Sequence, residues 1–404
     1  MRRGEGGVFY GWWIVATCFV VNFIVFGISV NTFTVYMKPI AADMGWSRAQ
    51  ISLALTFAAL AMGAGAPLVG RLIDRTGARA TMAAGAAVVG VSSVLLASAH
   101  SLGFFYAVFI VSGLGQGGAT VIPISLVIAN WFEAQRAKAL AIAMTGTGLG
   151  MMVMVPVTSW IVSTWGWRSS FRIMGCVILA TVPLTLLLIR TRPADMNLLP
   201  DGDMGSDVAP AAAGGLTLPE AVRTPAFWLI GAMMLLIGLV AMGVGVHLMP
   251  YLTDIGHPST TAALLISVIA AFTVIGKLGV GYLADRWGTR PAIGLAFSGI
   301  AIGVLLLMGA GSFAAACCFA VVWGFAVGAP LLLNPALAAD CLGLKSFGAV
   351  FGTLTLLNTV GVAAGAVISG VIYDSAGTYF PAFVLFAALT AVAGTCGVLA
   401  RRSF

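Results

Sequence analysis

The stretch FTVIGKLGVGYLADRWG, residues 272–288, holds one ammonium, Lys277, among apolar and small residues, eight positions before the pair Asp285 and Arg286. Lysine is a compact cation with three donors and no acceptor, so its chemistry is to attract an anion. Placing it in a membrane costs about 2.5–3.5 kcal/mol on insertion scales, and such residues mark cavities and substrate paths. The other readings are a lysine that snorkels to the membrane surface and a structural ion pair. Uncharged polar side chains occur in further apolar stretches: Asn31, Gln116, Thr273 and Asn358. Each is a candidate to complete a binding site or to make an interhelical hydrogen bond. His247 and Tyr36 are candidates for gating or proton transfer, since imidazole titrates near neutral pH. No nucleophile–base pair or metal-ligand spacing stands out, so catalytic residues, metals and cofactors are not expected.

The elements that must position these residues follow from composition. The 404 residues are 60% hydrophobic and only 8% charged, with a mean hydropathy of +1.05, far from a soluble profile. Apolar runs of about 20 residues, long enough to cross a bilayer as helix, recur twelve times, centred near Val20, Ala58, Val89, Gly115, Met151, Ala180, Leu235, Ala270, Ile302, Val322, Leu357 and Ala388. The first is too long for a signal-peptide core and reads as a retained helix. The six cysteines lie in or at the ends of spans, and no disulfides are expected. The GTGLG run, Gly146–Gly150, follows no strand and lies in an apolar helix, so it reads as close helix packing rather than a dinucleotide loop. Met144, Met151, Met152 and Met154 read as packing residues, with one or two available to an adaptable apolar pocket.

Basic residues are retained on the cytoplasmic side. With both termini inside, 15 of the 20 lysines and arginines fall on cytoplasmic segments, and only Lys38, Arg48, Arg168 and Arg172 face out. The net charge of +7 is then a matter of topology, and nucleic acid is not an expected partner. In this orientation the eighth span starts outside. Helical side chains lean toward their N-terminus, so Lys277 points toward the bilayer centre, against snorkelling. No acidic residue lies well inside a span, which argues against an internal ion pair.

The polar stretch from about Thr191 to Pro225 reads as a linker, giving an N-terminal six-helix bundle over 1–190, a linker over 191–223 and a C-terminal bundle over 224–404. The halves repeat. A shift of 211 residues carries Asp43 and Gly45 onto Asp254 and Gly256, Gly113 and Gly117 onto Gly324 and Gly328, Gly150 onto Gly361, Gly166 onto Gly377, and Tyr36 onto His247. It also carries GRLIDRTGAR, Gly70–Arg79, onto GYLADRWGTR, Gly281–Arg290. Parallel repeats of this kind place a binding site near the midplane, with access alternating as one half rocks on the other.

The doubled G-x-L-x-D-R-x-G-x-R loop resembles the signature of the major facilitator superfamily, and the resemblance covers the whole chain. It implies an all-α membrane protein of twelve transmembrane helices in two pseudo-symmetric six-helix bundles. The motif residues Gly70, Asp74 and Arg75, with Gly281, Asp285 and Arg286, would hold neighbouring helix ends together in one conformational state. DMGWSRAQISLALT, Asp43–Thr56, and HLMPYLTDIG, His247–Gly256, are similar to the monocarboxylate porters and the oxalate/formate antiporters. Those proteins place a basic residue, usually arginine, four positions before the second motif's first glycine, where this chain has Lys277. Relatives carry further cations at positions corresponding to Asn31 and Asn358, both neutral here.

The resemblance therefore implies a secondary transporter of small organic anions, monocarboxylates first, in a multi-pass bacterial-type inner (plasma) membrane. It would work as a monomer within the lipid bilayer, with protons as the candidate coupling ion and no chemistry on the substrate. A dicarboxylate–monocarboxylate exchanger and a multidrug exporter are the alternatives. The second is weakened by the absence of a buried carboxylate.

Overall fold

The computed structural model describes residues 9–201 and 214–403. Among the described residues the regular structure is helical apart from two isolated bridges, Phe132 with Asp201 and Gly215 with Gly343. α1 (Tyr10–Val21) runs into a π-helical segment, Asn22–Asn31, before α2 (Phe33–Met44). Then come α3 (Arg48–Thr76), α4 (Ala78–Leu96), α5 (Leu102–Ala119), α6 (Val121–Trp131), α7 (Arg136–Leu179) and α8 (Thr181–Leu188). After a short 3-10 turn at Pro193–Met196 and α9 (Leu218–Ala221) follow α10 (Pro225–Asp254), α11 (Ser259–Trp287), α12 (Thr289–Met308), α13 (Phe313–Val327), α14 (Pro330–Leu342), α15 (Phe347–Ala376) and α16 (Phe380–Leu399).

Eleven helical segments among the described residues are long and apolar enough to cross a membrane. One of them, Arg136–Leu188, spans 53 residues, and Gly166 (φ 77°, ψ 165°) breaks its helical backbone. Divided there, it supplies two crossings, which accounts for the twelve runs in the sequence. Helix is the required form, because hydrocarbon offers no partner for main-chain amides and a helix satisfies them internally.

Local signals set the ends. Ser47 and Gln50 form a reciprocal capping box at the start of α3, with Ser47 N–H donating to Gln50 Oε1 at 2.9 Å and Gln50 N–H to Ser47 Oγ at 3.2 Å. Thr224 caps α10 by accepting from Phe227 N–H at 3.3 Å, just ahead of Pro225 at the first helical position. The internal repeat extends to backbone conformation: Gly77 and Gly288 have φ 82° and 93°, and Gly166 and Gly377 have φ 77° and 68°. L-residues with a Cβ rarely adopt these values, which is why both copies keep glycine there.

The fold divides into two compact units, Met1–Ala213 with Leu344–Thr353, and Gly214–Gly343 with Leu354–Phe404. The described ends of the connecting stretch are tied down. Asp201 N–H donates to the Trp131 carbonyl at 3.2 Å and Leu216 N–H to the Leu342 carbonyl at 3.0 Å. Trp131 and Leu342 are themselves related by the 211-residue shift, so each end docks on the equivalent loop of its own unit.

Candidate functional site

In the second unit Lys277 lies on α11 with 4% of its surface exposed. Glycines determine how closely α11 meets α13. A Cβ on Gly276 would collide with the Phe325 carbonyl, and one on Gly279 would come within 3.1 Å of the Phe325 ring. At Gly328 an added Cβ would meet the Thr273 carbonyl at 2.9 Å and Lys277 Cγ at 3.1 Å. The lysine stem is thus packed against a glycine surface, which holds the side chain in place and leaves the ammonium as its only polar group. Thr273, one turn earlier, donates its hydroxyl proton to the Ile269 carbonyl at 2.8 Å, so its remaining capacity is as an acceptor.

Asn358 sits on α15, and its Nδ2 donates to the Met234 carbonyl of α10 at 2.7 Å. A Cβ on Gly238 would come within 2.7 Å of that same nitrogen. The amide therefore ties two helices together at a close crossing. Asn334, on α14, is 7% exposed, and its Oδ1 has no hydrogen-bond partner among the described residues. Its signal in the sequence is an Asn-Pro pair in an apolar span. His247 Nδ1 meets the Tyr379 hydroxyl at 3.1 Å. Tyr379 in turn packs against the rings of Tyr251 and Tyr373.

In the first unit Gln116 is 5% exposed, and its Nε2 has no hydrogen-bond partner among the described residues. It lies one turn before Thr120, whose hydroxyl donates to the Gln116 carbonyl at 2.8 Å. Thr120 has a non-helical backbone (φ −116°, ψ −113°) where α5 gives way to α6. A buried donor without an acceptor is costly in an apolar interior, so Gln116 is suited to an acceptor on a ligand. Asn22, also missed in the sequence, is fully buried. Its Nδ2 donates to the Ala143 carbonyl at 3.1 Å, while Oδ1 has no partner among the described residues. The backbone of Asn31 closes the π-helical segment, but its side chain lies outside the described residues.

Tyr36 is 2% exposed, shares a 2.9 Å hydrogen bond with Ser170 and stacks on Phe171 with ring centroids 4.1 Å apart. Tyr36 and His247, equivalent in the repeat, thus each bond to a residue at or near the start of their own half's last span. The GTGLG run packs as the sequence implied. A Cβ on Gly146 would stand 3.1 Å from Phe23 N, and one on Gly150 would stand 3.1 Å from Gly27 Cα. The methionines on the same helix divide: Met144 is fully buried, whereas Met151 and Met152 are exposed, so the latter two do not pack in the protein interior.

The first motif copy makes a defined contact. Asp74 accepts from Gly348 N–H through Oδ1 and from Ala349 N–H through Oδ2, both at 2.9 Å. These are orphan donors of the first turn of α15, where a carboxylate also meets the positive end of the helix dipole. Gly70 and Gly348 stand back to back, and a Cβ on either would collide with the other's carbonyl oxygen. Arg75 is exposed. In the second copy Gly281 is buried and Asp285 half-buried, and Arg286 Nη1 reaches the Tyr282 hydroxyl at 3.5 Å.

A family model described as Major Facilitator Superfamily matches residues 16–330 and 248–403. Monocarboxylate transporter 13 of Rattus norvegicus is 25% identical over 393 residues, covering 94% of this chain and 86% of the relative. The MFS transporter asaE of Aspergillus flavus is 27% identical over 408 residues, covering 98% and 88%. Among solved structures, the human organic anion transporter MFSD10 (TETRAN) superposes with a TM-score of 0.76 at 16% identity, covering 96% of this chain and 99% of that one. The E. coli fucose:proton symporter FucP gives 0.73 at 15% identity, covering 97% and 100%.

Proposed function

This chain belongs to the Major Facilitator Superfamily, and from that premise we propose that it is a secondary active transporter of small organic anions. Monocarboxylates of the lactate or pyruvate type come first, carried by alternating access with Lys277 as their charge partner. The observation that carries this reading is the burial of Lys277, 4% exposed on a membrane-crossing helix. The carboxylates of the chain all lie in loops, tails or span ends. A cation at that depth is stabilised by an anion that enters, and the anion is relieved of its own desolvation cost by the cation.

Within the same unit, Thr273, one turn before Lys277, contributes acceptor capacity for a hydroxyl on the substrate, while the nitrogen of Asn358 is already engaged by the Met234 carbonyl. The similarity to monocarboxylate transporters and, in fold, to an organic anion transporter supports the same substrate class. On this reading nothing is transformed, the site is a bacterial-type plasma membrane, the working unit is one chain, and protons couple through Lys277, His247 or the substrate itself.

The test is uptake of labelled lactate or pyruvate into liposomes holding purified protein. Lys277→Ala is expected to lose about 30-fold or more in anion affinity, as when one member of a buried charge pair is removed. Lys277→Arg should keep part of it, since charge survives while stem and geometry change. Normal uptake by a well-folded Lys277→Ala protein would overturn the reading.

A further inference from the structure

The crossing that holds Lys277 has a counterpart in the first repeat, and the two together separate what the fold requires from what the lysine requires. The 211-residue shift relates Gly65, Gly113 and Gly117 to Gly276, Gly324 and Gly328. Each set lies at one helix crossing, α3 with α5 in the first unit and α11 with α13 in the second. At two of the three positions neither unit leaves room for a Cβ. On Gly65 it would strike the Leu114 side chain, and on Gly276 the Phe325 carbonyl. On Gly113 it would strike the Ala58 carbonyl, and on Gly324 it would stand 2.7 Å from the Ile269 carbonyl. Those two close approaches belong to the crossing itself, since both repeats keep them.

The third position differs. At Gly117 a Cβ would stand 3.6 Å from Met62 Cγ and 3.7 Å from the Met62 carbonyl oxygen, ordinary contact distances that admit a methyl group. At Gly328 the same atom would meet Thr273 Cγ2 at 2.7 Å, the Thr273 carbonyl at 2.9 Å and Lys277 Cγ at 3.1 Å. Thr273 and Lys277 correspond to Met62 and Ala66 in the repeat, so the first unit has no cation at this place to hold. The Thr273 hydroxyl turns back to the Ile269 carbonyl, and its methyl group stands against Gly328. Glycine, threonine methyl and lysine stem thus close on one another over one turn of α11. The first unit shows that the crossing forms with a looser fit here. The tight fit accompanies the cation.

We propose that Gly328 is a positioning residue for the transported anion: its bare surface, with the Thr273 methyl, confines the Lys277 stem to one path and so sets where the ammonium meets a carboxylate. The proposal rests on the reading of Lys277 as charge partner. An ammonium is a point charge on a flexible four-carbon stem, without the rigid fork of a guanidinium, so packing along the stem is what directs it. A charge misplaced by about 1 Å is enough to weaken its grip on a bound group.

The experiment uses the full-length purified protein in liposomes and follows labelled lactate uptake, with acetate and butyrate as competitors of different length. Gly328→Ala is expected to raise the KM for lactate by about tenfold while the maximal rate is kept, because binding and not the conformational cycle is disturbed. It should also change the order of acetate, lactate and butyrate, since the ammonium no longer stands where the wild type holds it. Gly117→Ala, which adds the same methyl group to the looser crossing, should keep both KM and order. Thr273→Ser added to Gly328→Ala removes the methyl nearest the new Cβ and keeps the hydroxyl, so it should recover part of the lactate affinity; this double variant also carries the test if the single variant does not fold. A lower melting temperature in Gly328→Ala with unchanged KM and unchanged anion order would make Gly328 a packing residue only and overturn the proposal. So would wild-type KM and order in the double variant when the single one does not fold. Lys277→Ala in the same assay tells the two failures apart: if it loses uptake while Gly328→Ala behaves as wild type, this proposal alone fails, and if it transports normally, the reading of Lys277 fails with it.

Discussion

Asp43, at the end of α2, receives two donors from α7: the Arg168 guanidinium and, at 3.1 Å, the Trp167 indole N–H. Arg168 also lies over the Trp167 ring, 4.1 Å from its centroid. The hydrogen bond from Arg168, followed by that from Trp167, holds the Asp43 carboxyl below the usual carboxylate range. A depressed carboxylate contributes its full stabilisation above the unfolded-state value near 4 and loses it as pH falls through the folded-state value. Acid titration of thermal stability should therefore show wild-type protein losing an increment below about pH 4. Arg168→Gln should lack that increment, and identical acid profiles for the two proteins would refute the link. This pair was legible only in halves: the sequence placed Asp43 and Arg168 on the same side of the membrane, but 125 residues of separation hid their contact. Gln116 and Asn358 looked alike as amides in apolar runs. The fold separates them, because the nitrogen of Asn358 meets a carbonyl and that of Gln116 does not.

Among the elements, the junction of α3 with the start of α15 gives the clearest test of sequence motif against packing. The carboxylate of Asp74 takes two main-chain N–H donors from Gly348 and Ala349, and the Gly70–Gly348 approach makes that reach possible. Asp74→Asn keeps an acceptor and loses the charge, and should cost about 0.5–2 kcal/mol, as other cap replacements do. Gly348→Ala should cost about 1–3 kcal/mol, because a methyl group would have to displace backbone. Melting temperatures in detergent check both. Gly348→Ala melting like wild type would show that the two helices are not in contact at this point in solution. The motif acid was legible from the repeat, but its partner was not. No sequence pattern announces that two amides at a helix start, more than 270 residues away, will donate to it. The π-helical turn in the first span was equally silent, since its composition is that of any apolar helix.

On the scale of the whole molecule, the charge inventory constrains the substrate. On the proposed reading Lys277 is the one lysine or arginine that the sequence places inside a span, and Asn31 and Asn358, where the family resemblance implies further cations, are neutral. A second carboxylate on the substrate would enter without a balancing charge, at a cost of several kcal/mol. Lactate or acetate should therefore compete for the site better than oxalate or succinate, as measured by inhibition of labelled uptake. Asn358→Lys should shift that order toward oxalate by about tenfold or more. A wild-type protein that prefers dianions would contradict the single-cation account.

Composition, hydropathy and the 211-residue repeat were enough to determine the membrane class, the number of spans, the family resemblance and the candidate cation. These are properties of single residues or of regular spacing, and bilayer physics reads them directly: an apolar run must be helix, and an isolated charge inside one is costly. Tertiary structure alone decided which polar groups are already engaged and which remain available. It showed Asn358 tying two helices, Gln116 and Asn334 with unpartnered atoms, and Asp74 capping α15. Each of these depends on side chains far apart in sequence meeting at distances near 3 Å. That is set by how helices cross and where glycine lets them approach, and no local pattern along the chain records it.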